Sequence, residues 1–231
     1  MQLFALNKND GNSFPTHIRN IASENGFYNF DYKDERLSIE YPLAQLEDVI
    51  SKIIYKIIAE ESLASTTDND KQILSFFLSV QKIRGNSTRE TLKEMNQLLM
   101  KHLMDMGADP SKVEGFQNLE EDDVKKISIE MVLDADRFAP YFYDKTWLLY
   151  RTEESLPFII SDTPITLQNS NDFGFFGNLG LNVPGIEIYF PLSPTLTLAI
   201  VCNSLEGSFR DAQKKYDFIT NYDPKLLEDF N

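Results

Sequence analysis

The polar residues best suited to chemistry stand at the ends of apolar runs or inside them. Ser161 and Asp162 follow Phe158-Ile159-Ile160 and precede Thr163-Pro164. Ends of strands are where sheets present side chains to ligands. Asp162 can act there as a base or bind a metal, with Ser161 beside it. The competing reading is turn chemistry: Asp and Ser bond nearby backbone amides, and proline sets the turn. Gln81 and Arg84 stand three positions apart on one helix face. On a mostly apolar helix such a pair must reach water, a carboxylate or a ligand. Arg84 can clamp an anion, or close a salt bridge at the helix end, where cations are favoured. Glu40 and Glu47 are seven positions apart. Paired carboxylates can bind a divalent ion, and these two share a face only if the helix begins by Glu40. Pro42 argues against that start, because the residue before a proline avoids helical angles. Solvated acids near a helix start are the alternative.

The remaining reactive residues carry less. His17 and His102 are far apart, and His102 lies on the apolar side of its helix, where packing is expected. Cys202 is the one cysteine and ends the apolar run Leu196–Val201, so a buried, inert thiol is expected and no intramolecular disulfide is available. No zinc spacing, zincin motif, serine-hydrolase elbow or phosphate loop is present. Hence no metal ligand set and no cofactor is identified. A nuclease of the restriction type wants an acid followed by Glu-x-Lys, and Glu187-Ile188-Tyr189 lacks the lysine. The loop from Asn169 to Gly185 places Phe173, Phe175 and Phe176 among glycines and asparagines. Exposed, these aromatics make a partner surface; folded back, they plug the core.

The elements that must position these residues change along the chain. After an irregular, strand-like start with Phe27–Tyr32 alternating, a helix is expected after Pro42, with Ile50, Ile53, Ile54 and Ile57 at helical spacing. A second helix, about Lys71 to Arg84, is apolar on most faces and belongs at the centre. A third is expected to open on a Ser87–Glu90 capping box and to bury Leu92, Met95, Leu98, Leu99, Leu103 and Met106. A fourth starts near Glu120 with a stripe of Val124, Ile127, Met131, Ala135 and Phe138. Strands are expected at Thr146–Arg151, Phe158–Ile160, Ile186–Phe190 and Thr195–Val201, the last two antiparallel across Pro191–Pro194. A short helix is expected over Gly207–Phe218. Helices first and strands later indicate an α+β fold: a helical part, about 40–142, packed on a mostly antiparallel sheet, about 146–203, in one domain over 1–231.

Composition sets limits on partners. The 231 residues carry a formal charge of −14. That field repels phosphate backbones and anionic membranes, so nucleic-acid and membrane partners are disfavoured and a protein partner remains open. The run Pro110–Asp136 concentrates acids and reads as a solvated helix face. No leader and no transmembrane stretch is seen, so the cytosol is the expected compartment.

The residues also resemble a known family. Asn20-Ile21-Ala22 with Gly26-Phe27-Tyr28, Ile39-Glu40 through Leu46-Glu47, and Phe77 through Arg84 match it. Trp147-Leu148-Leu149, Phe158 through Ile165 and Phe190-Pro191-Leu192-Ser193-Pro194 match further on. Together they resemble the bacterial and phage family catalogued as domain of unknown function 4238, over about residues 20 to 200. The Ser-Asp-x-Pro and Pro-Leu-Ser-Pro pieces are the most specific. The resemblance implies a shared polar set: Glu40, Glu47, Gln81, Arg84, Ser161 and Asp162. It implies no activity. Family members open with a His-containing segment that this chain is expected to lack, read Arg-Thr-Pro at Arg84-Gly85-Asn86, and carry Asn where this chain has Thr163. Two functions follow as expectations. One is a non-catalytic interaction protein, a defence or toxin-system component; the other is an enzyme acting on a nucleotide or phosphate-containing substrate.

Overall fold

Helix α1 (Glu40–Glu60) begins two residues before Pro42, not after it. Proline in the first helical turn removes only an N–H that has no intrahelical partner, so Glu40 takes the first helical position. The computed structural model describes residues 2–7, 10–17, 28–32, 35–161, 163–169, 171 and 179–205. Contacts divide the chain into two compact units, Met1–Glu40 and Tyr41–Asn231.

The first unit holds two antiparallel hairpins. One pairs β1 (Gln2–Leu6) with β2 (Ser13–His17), turning through Gly11, whose φ of 70° suits glycine. The other pairs β3 (Asn29–Tyr32) with β4 (Glu35–Ser38), as the aromatic alternation predicts for the first of these strands.

The second unit is an α+β arrangement, helices in sequence before a four-stranded antiparallel sheet. Helix α2 (Asp68–Arg84) starts on a Thr67–Asp70 capping box, three residues ahead of the expected start. Its buried residues Leu74, Phe77, Leu78, Val80 and Ile83 cover most faces. Helix α3 (Asn86–Asp105) starts one residue before Ser87, with Gly85 as N-cap and no side-chain cap bond. Ser87 therefore lies inside the helix, where its carbonyl accepts from the Thr91 hydroxyl. Helix α4 (Glu121–Leu133) buries Val124, Ser128, Ile129 and Val132, while Ile127 and Met131 are half-buried. A short α5 (Pro140–Tyr143) sets Phe142 in the core.

Strands β5 (Thr146–Arg151), β6 (Thr166–Asn169), β7 (Ile186–Ser193) and β8 (Leu196–Val201) lie in the order β5-β8-β7-β6. The β7–β8 hairpin is antiparallel, with a bulge between Pro191 and Ser193. Period-two alternation sends Ile186, Ile188, Phe190, Leu198 and Ile200 to one face. There they form one core with Ile50, Ile53 and Ile57 of α1 and Leu74, Phe77 and Leu78 of α2. Each such side chain stabilises the fold by about 1.5–3 kcal/mol when fully buried. The second face is buried too, with Tyr189, Ala199 and Val201 at its centre.

The stretch Phe158–Ile160 is not a strand. Its only backbone tie to the hairpin is Phe158 N–H donating to Pro194 O at 2.7 Å. Ile159 is 82% exposed. The place beside β7 belongs to β6, which the apolar run obscured. The segment Gly207–Phe218, expected as a helix, lies outside the described residues.

Candidate functional site

Three of the polar residues singled out above meet. Arg84 ends α2, and its Nη1 donates to Glu47 Oε1 on α1 at 2.8 Å. Its Nε donates to Gln81 Oε1 one turn back at 3.1 Å. Gln81 is buried, so the amide has its partner where water is scarce. The Arg84 side chain is 24% exposed and that of Glu47 49%. Helix α2 puts Gln81 and Arg84 on one face because they are three apart; α1 brings the carboxylate. The arrangement is a neutralised clamp. Two of the five guanidinium donors are used in it, which leaves three for further acceptors.

The other expected residues do not join it. Ser161 Oγ donates to Thr163 O at 2.8 Å and accepts from Thr163 N at 3.1 Å, closing its own turn. Glu40 sits at the start of α1, where its N–H donates to Ser38 Oγ at 3.3 Å. Asp162 and the aromatics Phe173, Phe175 and Phe176 lie outside the described residues. His102 is exposed rather than packed, as is His17. Among the described residues, no group of three or more His, Cys, Asp or Glu is placed to hold a metal ion.

Three further groups have environments that the sequence did not indicate. Glu187 and Tyr189 project from β7 to the second face of the sheet, where Tyr189 OH donates to Glu187 Oε2 at 2.5 Å. The Tyr150 ring is 6.0 Å from that of Tyr189. Burial raises the pKa of both phenols, and the Glu187 charge adds to it. The signal available in the sequence is an acid between two isoleucines, Ile186-Glu187-Ile188, followed by Tyr189 on the same strand face. Elsewhere, Lys71 lies 5.0 Å from the Tyr143 ring centre and 5.3 Å from that of Trp147. Its Nζ donates to Lys145 O at 3.2 Å. Burial lowers the Lys71 pKa, partly offset by Asp144 and Asp68. Cys202 is half-buried rather than fully buried, and packs against the core. Burial works to raise its pKa, yet hydrogen bonds from Ser204 and Gly185 and the charge of Lys145 hold the thiol below its usual value.

The largest departure is α3. Not one of its residues is buried. Met95, Leu98, Leu99 and Met106 are 62%, 67%, 49% and 61% exposed. At 100° per residue these four and His102 fall on one side of the helix. The helix is held beside them: Asn96 Nδ2 donates to Gln117 O at 2.8 Å and its Oδ1 accepts from Leu119 N at 3.1 Å. Periodicity identified the apolar stripe and assigned it to the core. The structure instead turns part of it to solvent, because the helix meets the 117–119 segment along one flank of the stripe, at Asn96. By contrast, the described hollow of about 420 Å³ lined by Phe138, Tyr141, Leu181 and Val183 contains none of the polar residues discussed.

Among the described residues, no helix is long and apolar enough to cross a membrane. No curated protein and no solved structure matches the chain. A family model described as a protein of unknown function (DUF4238) matches residues 1–231, the full length, and the chain belongs to that family.

Proposed function

We propose that this chain is a non-catalytic binding component that engages a protein partner through the exposed side of α3. The observation that carries this reading is the run of Met95, Leu98, Leu99 and Met106 held in solvent on one helix face. Contiguous apolar surface of this kind marks interaction sites in folded proteins. The reading is also supported by the internal pairing of Arg84, Gln81 and Glu47 and by the local turn that occupies Ser161. The family resemblance suggests a bacterial or phage setting, in which a defence-related component fits such a role. Affinity capture from cells of the source, comparing the wild type with the double variant Leu98→Ser/Leu99→Ser, tests it. A protein retained by the first and lost by the second is the expected result. Identical captures by both remove the reading.

A second reading rests on the convergence of Glu47, Gln81 and Arg84: an enzyme site for a nucleotide or other phosphate-containing substrate, with Arg84 as the anion clamp. Calorimetric titration with a nucleoside triphosphate, repeated on Arg84→Ala, decides it. Heat of binding that vanishes in the variant supports this reading, and no heat with the wild type ends it.

A further inference from the structure

The reading of α3 as a docking face leaves the partner undescribed, and the surface itself narrows the choice. We infer that the segment docking on α3 is a cationic amphipathic helix. The argument rests on the reading above and adds shape and charge to it.

The shape is a ridge. Met95, Leu98, Leu99, His102 and, at the C-cap, Met106 fall on one side along three turns, about 16 Å at the helical rise. A convex helical ridge of this length is complemented by the ridges and grooves of another helix. Two of its five side chains are methionines, whose flexible thioethers adapt to an apolar counterpart without a preformed pocket.

The charge selects among helices. Glu94 and Asp105 are exposed along one flank of the ridge, with Lys101 beside them and His102 exposed on the ridge itself. The whole chain carries −14. A partner with lysine or arginine beside its apolar stripe is attracted by this field and paired at the flank, whereas an acidic one is repelled. The same field opposes a second copy of this chain and an anionic bilayer.

The test uses a fluorescein-labelled model peptide of about five helical turns, with leucines at helical spacing and lysines elsewhere. Its controls are a version with glutamate in place of lysine and a shuffled version of the lysine peptide. Anisotropy is read at low and high salt with wild-type chain and with the variant Met95→Ser/Leu98→Ser/Leu99→Ser. These exposed positions leave folding intact, which circular dichroism checks. The lysine peptide is expected to bind about tenfold or more tighter than either control, a difference of about 1.4 kcal/mol. Binding is expected to weaken in high salt and in the triple variant.

Equal binding of ordered and shuffled lysine peptides overturns the inference in favour of diffuse attraction. Equal binding of the lysine and glutamate peptides, both weakened by the variant, overturns the cationic partner while the docking face stands. Absence of peptide binding beside a positive capture result has the same consequence; beside a negative one, both readings fall. Dimers lost in the variant, or adsorption to phosphatidylcholine vesicles, replace the cationic helix with a second copy or with lipid.

Discussion

Arg84 and Glu47, 37 positions apart in sequence, are joined by a 2.8 Å hydrogen-bonded ion pair that links the last turn of α2 to α1. Gln81 orients the guanidinium from below. Because both charged side chains remain partly in water, solvent screens most of the attraction. A double-mutant cycle of Glu47→Gln and Arg84→Met is expected to give a coupling of about 0.2–1 kcal/mol, shrinking with salt. A coupling of several kcal/mol would show that the pair is far more desolvated than its exposure indicates.

Two serines of α2 make opposite contributions. Ser79 Oγ shares its one hydrogen between Ala135 O at 2.8 Å and Phe76 O at 2.7 Å, tying α2 to the short 3-10 turn Ala135–Arg137. Ser75 Oγ, equally buried, has no hydrogen-bond partner among the described residues. Ser79→Ala is therefore expected to cost about 1 kcal/mol, and Ser75→Ala to be neutral or stabilising by up to about 1 kcal/mol. For a chain of this size each kcal/mol moves Tm by roughly 2–4 °C. Thermal melts showing equal losses for the two variants would contradict this assignment.

The capping box of α2 makes stability acid-sensitive. Asp70 Oδ2 accepts from Thr67 N at 3.0 Å, and Thr67 Oγ1 accepts from Asp70 N at 3.1 Å. The Thr67 amide, then its hydroxyl, hold the Asp70 carboxyl below its usual pKa; Lys56 adds to this and slight burial opposes it. A carboxyl depressed in the folded state adds stability that is complete above its unfolded pKa of about 4 and disappears as pH falls through the folded value. Urea unfolding of Asp70→Asn is expected to show a deficit at neutral pH that closes below about pH 4. Thr67→Ala is expected to cost about 1 kcal/mol at neutral pH.

The second face of the sheet makes the opposite prediction at high pH. Burial raises Tyr150 and Tyr189, and Glu187 reinforces the shift in each. A phenol raised in the folded state adds stability that is present below its unfolded pKa of about 10 and lost as pH climbs towards the folded one. Ultraviolet titration should show both phenols ionising together with unfolding, after the exposed tyrosines. Tyr189→Phe should flatten the alkaline loss of stability. Ordinary titration of Tyr189 in the folded chain would refute its buried placement.

Much of the architecture was legible in the residues. The apolar faces of α2 announced a central helix, and Thr146–Arg151 and the two apolar runs flanking Pro191–Pro194 announced an antiparallel sheet, although β7 runs on through Ser193 and the turn falls at Pro194–Thr195. Local signals misled where two starts compete: Ser87 and Glu90 satisfy a capping box on paper, yet the N-cap lies two residues earlier, at Gly85. Phe158-Ile159-Ile160 has strand composition, yet β6 takes the ladder place beside β7.

What the residues alone determined is where the main helices and the strands β5, β7 and β8 run and which side of each is apolar, since a side chain's direction follows from its own backbone. What covers an apolar side was decided only in three dimensions. Both α2 and α3 carry apolar residues at helical spacing, but α2 lies against the sheet and other helices while α3 is anchored along one flank of its stripe and leaves Met95, Leu98 and Leu99 in water. Likewise Arg84 and Gln81 share a face by helical spacing, whereas Glu47 joins them only because packing of α1 on the common core brings a distant carboxylate within reach. Burial and pairing depend on which surfaces meet, and that is a property of the whole fold.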